Sequence, residues 1–153
     1  MIAPKQILDV ARIQHEPYQG SDGYEVYLTA GNQLVGTHRM LSEFRSQSKY
    51  YKGWQSHHIL ETQDLERLHI AQLAPDRDNQ FCVLLPERAH IGRINSVLRR
   101  QAPIGTVLSP RSLLGAYKDA YGLVGDYCAG GERAIRQELV SIVEASLKLY
   151  RVI

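Results

Sequence analysis

Six histidines are the residues of this chain best suited to chemistry near neutral pH: His15, His38, His57, His58, His69 and His90. Imidazole has an ordinary pKa of about 6.5, so it can hold or release a proton there, and its neutral form binds transition metals. His15, His38 and His69 stand alone and are expected to be structural or simply exposed. His57 and His58 are adjacent. Neighbouring side chains on a strand point to opposite faces, so the pair can serve one site only where a strand ends or bends. Asn79 falls just before a predicted strand, and His90 falls in the first turns of a predicted helix. Strand, loop, strand and helix in that order let a hairpin and a helix grip a single metal ion between them. Imidazole ligands suit Zn²⁺, Ni²⁺ or Mn²⁺, while carboxylate and water ligands favour Mg²⁺. A histidine that is not on the metal can take a proton from water.

The run WQSHHILE at 54–61, followed by DRDNQFCVLLPERAH at 76–90, resembles the HNH/endonuclease VII superfamily, also called His-Me finger or ββα-metal nucleases. Within it, Ser56-His57-His58 resembles the SHH branch found as C-terminal toxin domains of bacterial polymorphic toxins. The resemblance covers about residues 54–100. Residues 1–50 and 102–153 carry none.

Residue by residue, the resemblance implies that His57 binds the metal and His58 is the general base that activates the attacking water. It implies that Asn79 orients that base and that His90 is a metal ligand on the helix. The richest forms of the motif carry a second histidine one turn later, where this chain has Arg93 and Ile94. The ion would then have two protein ligands plus water, or be completed by Glu87 or Asn95, and its identity stays open among Mg²⁺, Mn²⁺, Zn²⁺ and Ni²⁺. Arg93 lies one helical turn beyond His90 and is suited to hold a phosphate through paired hydrogen bonds.

The implied activity is metal-dependent hydrolysis of phosphodiester bonds by an endonuclease with little sequence preference, with DNA expected ahead of RNA. His58 would deprotonate water, and the ion would stabilise the charge that develops at phosphorus and at the leaving oxygen. As the toxin domain of a secreted bacterial effector, the chain would act in the cytoplasm of a target cell and have a cognate immunity protein. Two rivals remain. One is a non-catalytic binding module with a structural metal site, which would need a closed set of four ligands. The other is a non-metal hydrolase or transferase toxin using a Ser–His or Cys–His pair, for which the adjacent Ser56 and His57 are poorly disposed. A deaminase would need H-x-E with a distal P-C-x-x-C, and a nucleotide-binding fold would need a Walker or G-x-G-x-x-G loop; the sequence has neither.

The elements that must carry these residues read as follows. A short helix is expected over 4–14 and a strand over Tyr24–Thr29, with a helix across 33–47. His57–Glu61 reads as a strand, and Thr62 as the cap of a short helix with Asp64 in its first turn. Residues 69–78 read as a loop, Gln80–Leu85 as a strand, and Pro86 as the start of a helix burying Ala89, Ile91, Ile94, Val97 and Leu98. Ser109-Pro110 is a helix start, and a last helix over Glu132–Tyr150 has Ile135, Leu139, Ile142, Val143, Leu147 and Tyr150 on one stripe. The expected fold is a single α+β domain over 1–153: a ββα-metal core at about 54–101, flanked by helices, with a helical C-terminal part at about 109–150.

Bulk composition agrees with one globular domain. The chain has 153 residues, 44% hydrophobic and 22% charged. A formal charge of +2 is too small to argue for a polyanionic partner, and the Arg93, Arg99, Arg100 cluster taken alone reads as a solvated helix face. Cys82 and Cys128 form no metal-binding pair, and Cys82, inside FCVLLP, is expected to be a small buried hydrophobe. No apolar stretch reaches the roughly 18 residues of a membrane span, and no signal core is evident, so the chain is expected to be soluble.

Overall fold

The computed structural model describes residues 4–18, 25–47, 51, 53–68, 76–86, 94–103, 109–122 and 131–153. The strands are β1 (His15–Pro17), β2 (Val26–Thr29), β3 (Leu34–Thr37), β4 (Trp54–His58) and β5 (Phe81–Pro86). The helices are α1 (Pro4–Val10), α2 (His38–Gln47), α3 (Thr62–Arg67), α4 (Asn95–Gln101), α5 (Pro110–Gly122) and α6 (Gly131–Leu149). All five strands pair antiparallel in one sheet, in the order β1-β2-β3-β5-β4. The fold is therefore α+β. Its hairpin β4–β5 is followed among the described helices by α4.

β5 explains the sheet's two layers. Phe81, Val83 and Leu85 project into a core shared with Ile7, Leu8, Leu65, Ile94, Leu98, Tyr117 and Leu139, so helices α1 and α3–α6 cover that face. Cys82 and Leu84 project the other way, against Leu41 and Phe44 of α2. A strand covered on both faces needs an unbroken apolar run, which FCVLL supplies.

Several elements differ from the sequence expectation. The first helix stops at Val10, which is 43% exposed, and Arg12 takes a positive φ of 57°. The chain then forms β1, with Pro17 on an edge strand where its missing N–H costs no ladder bond. The expected helix across 33–47 divides into β3 and α2. Asn32, at φ 64°, turns β2 into β3, and the Thr37 hydroxyl accepts the Met40 N–H at 3.2 Å, capping α2. Gly36 allows a close approach, since a Cβ there would lie 2.7 Å from the Glu25 carbonyl oxygen. β4 runs Trp54–His58 rather than His57–Glu61, so the histidine pair closes the strand instead of opening it. Glu61, not Thr62, is the N-cap residue of α3. Arg77–Asn79 forms a 3₁₀ turn at the end of the expected loop, and β5 ends at Pro86; the start of the helix expected after it, over 87–93, lies outside the described residues. Ser109 does cap α5, accepting the Ser112 N–H at 3.2 Å.

Candidate functional site

β4 pairs with β5 so that His57 lies opposite Val83, and His58 opposite Cys82. Directly opposed residues share a face. His57 therefore points with Val83 into the larger core, and His58 points with Cys82 toward α2. The strand's alternation separates the two histidines.

His57 is 1% exposed. Its Nε2 lies 3.0 Å from the Tyr121 hydroxyl, and the two rings meet edge to face at 5.9 Å. Tyr121 donates its proton to the Ile59 carbonyl, so it accepts from His57, whose Nε2 is the protonated nitrogen. Beside this pair lies a second buried group. Asp64, fully buried, accepts from the Tyr117 hydroxyl at 2.6 Å and from Arg99 at 3.0 Å, while the Glu61 N–H donates to Tyr117 at 2.8 Å. Burial pushes both tyrosines well above the ordinary phenol value. Arg99 thus leaves the solvated face expected for the arginine cluster and binds a core carboxylate; Arg100 is exposed. Asp64, expected to act on the α3 dipole, is the ion-pair partner of a residue on α4.

His58 is half-buried at the end of β4, and its Nε2 donates to the Arg77 carbonyl at 3.1 Å. Asp76 caps the turn that presents this carbonyl, accepting from the Asn79 N–H at 3.2 Å and from Asn79 Nδ2 at 2.6 Å. His58 and Asn79 are brought into one neighbourhood, but the contact runs through the Arg77 backbone rather than the Asn79 side chain. His38, the first residue of α2, stacks on His58 with ring centres 4.7 Å apart and planes at 23°. Its Nδ1 lies 3.1 Å from the Ser56 hydroxyl. Burial and the Arg77 charge hold His38 below the ordinary imidazole value, with Asp78 opposing and Arg45 assisting. Below the rings lies Cys82, whose thiol burial pushes up to about 12. As expected, it is buried.

His38 and Arg77 had no local signal in the sequence, and Ser56 had one only as part of the SHH run; their convergence depends on β3, β5 and β4 being neighbours in that order. His90, Glu87 and Arg93 lie outside the described residues, and Asn95 opens α4. A divalent ion held as the resemblance implies would take His57 and His90. His57 does not fit that part as packed, because its ring is 1% exposed and faces the larger core, with no open side for an ion and its waters.

No protein family, curated protein or solved structure matches this chain. Among the described residues, no helix is long and apolar enough to cross a membrane.

Proposed function

We propose that this chain is an endonuclease of the ββα-metal kind, hydrolysing phosphodiester bonds with His58 as general base. One observation carries the reading: the His58 Nε2–H bond to the Arg77 carbonyl at 3.1 Å. With Nε2 protonated, the neutral ring's lone pair sits on Nδ1, the nitrogen that takes a proton from an attacking water. A backbone carbonyl fixes the ring's orientation without competing for the proton, and the Asp76–Asn79 turn fixes the carbonyl. The antiparallel β4–β5 pair with α4 after it supports the same reading. Arg77 is exposed beside His38 and supplies a cation for a phosphate, as Arg93 is expected to do.

A bound divalent ion would stabilise charge on the phosphate. Because His57 faces the core, the proposal rests on His58 and its carbonyl, and metal dependence is a separate result of the test. DNA as the preferred substrate, delivery as a toxin and a cognate immunity protein belong to the proposal through the resemblance alone. The test incubates supercoiled DNA and RNA with the chain, in chelator and with Mg²⁺, Mn²⁺, Zn²⁺ or Ni²⁺ added. Nicking that requires added Mg²⁺ or Mn²⁺ is expected. Intact substrate under every condition would overturn the nuclease reading.

A further inference from the structure

The resemblance leaves His38 and Cys82 unused, and the sheet brings both of them to His58. His38, His58 and Cys82 each offer one ligand atom, and these atoms lie within 4.8 Å of one another. We propose that they form a binding site for a thiophilic divalent cation of the Zn²⁺ type. Its occupation would hold His58 and silence the chain; that consequence rests on the general-base reading above.

The donor set is the first argument. Two imidazoles and a thiolate select Zn²⁺ over Mg²⁺ or Ca²⁺, which prefer oxygen. Bonds of about 2.0–2.3 Å in a tetrahedron place ligand atoms roughly 3.4–3.6 Å apart. From separations within 4.8 Å, the ligand atoms would draw in by about an ångström on binding. Three protein ligands leave a fourth position for water, and the two half-buried rings open toward solvent.

The second argument is independent of the cluster. Metal-binding histidines characteristically give their other ring nitrogen to a carbonyl, carboxylate or water, which fixes the tautomer and aims the ligating nitrogen. Both rings have such a partner: the Arg77 carbonyl at His58 Nε2 and the Ser56 hydroxyl at His38 Nδ1. With His38 Nδ1 donating to Ser56, the nitrogens that carry a lone pair for an ion are His58 Nδ1 and His38 Nε2. His58 and Cys82 are a registered pair across β4 and β5, and the His38 N–H is bonded to the Gln80 carbonyl at 2.9 Å, so backbone holds all three positions. Binding converts Cys82–SH to a metal thiolate and releases one proton to solvent. Of the neighbouring charges, Arg77 and Arg45 oppose a cation and Asp78 favours it.

Co²⁺ is the probe, titrated into the reduced, metal-free full chain. A thiolate-to-cobalt charge-transfer band in the near ultraviolet should saturate near one equivalent and bleach when Zn²⁺ is added. Cys82→Ser should lose the band, and Cys128→Ser should keep it. Ser56→Ala should weaken binding by roughly 10–100-fold, as loss of an outer partner does. His38→Ala should weaken it at least as much, and it carries the test if circular dichroism shows Cys82→Ser unfolded. No band in excess Co²⁺, or a band surviving in folded Cys82→Ser, would overturn the site. The Zn²⁺ concentration that bleaches the cobalt band should also suppress cleavage by the unmodified chain. A zinc-loaded chain that still cleaves would leave the site standing and remove His58 as the base.

Discussion

Replacing Asp64 with alanine should be among the most damaging single changes in the described core. The carboxylate is fully buried and holds the Tyr117 hydroxyl at 2.6 Å and Arg99 at 3.0 Å. Removing one partner of a buried ion pair costs about 3–5 kcal/mol, because the other charge stays behind. A buried hydroxyl left without an acceptor costs about 1–3 kcal/mol, but the two losses share one site and do not add. Arg99 keeps the Ala102 carbonyl at 2.9 Å and stands 3.7 Å from Glu61, and its side chain is 20% exposed. Those features place the loss near the lower end, at about 3–4 kcal/mol. With a urea m-value of about 2 kcal/mol/M, the midpoint should fall by roughly 1.5–2 M. Each kcal/mol moves Tm by about 2–4 °C in a domain of this size, so Tm should drop by roughly 6–16 °C. Urea unfolding followed by circular dichroism measures this directly. A loss under about 1 kcal/mol would refute the reasoning, since it would mean that Arg99 and Tyr117 find equivalent partners in water.

Tyr121→Phe should cost about 2–3 kcal/mol, because it strands both the His57 Nε2–H and the Ile59 carbonyl in the core; an unchanged urea midpoint would contradict the buried placement of His57. Glu61→Gln should change how stability depends on pH. Burial raises the Glu61 carboxyl above its ordinary value against the opposing pull of Gln63 and Arg99. The folded chain therefore keeps this proton to a higher pH than the unfolded chain does, and stability is lost as pH rises from the ordinary carboxylate value through the folded one. The variant should flatten that fall in urea midpoints taken from pH 4 upward, and an identical slope would dismiss the assignment.

How much of this architecture the sequence disclosed depended on how local each signal was. FCVLLP announced a buried strand because five consecutive apolar residues fit a strand covered on both faces. Ser109-Pro110 and the apolar stripe ending at Tyr150 announced α5 and α6 by capping and period. β3 was hidden because LVGT is four residues long, too short for period two to be told from part of a helix face. The alternation rule did show that His57 and His58 need not share a site, and they point to opposite faces. What it could not show is each one's partner. Tyr121 lies 64 residues from His57, and His38 lies 18 residues from its partner Ser56. Those meetings are products of strand order and helix packing, to which no local pattern refers. Asp64 teaches the same lesson: its position in the first turn of a helix is a local fact, while its ion pair with Arg99, 35 residues away, is not.

The central claim is that His58 is the base, and single-turnover cleavage of supercoiled DNA by His58→Ala tests it most directly. The account predicts a rate roughly 10²–10⁴-fold below that of the unmodified chain, with the urea midpoint preserved because the ring is only half-buried. Cleavage by a folded His58→Ala at the unmodified rate would contradict it.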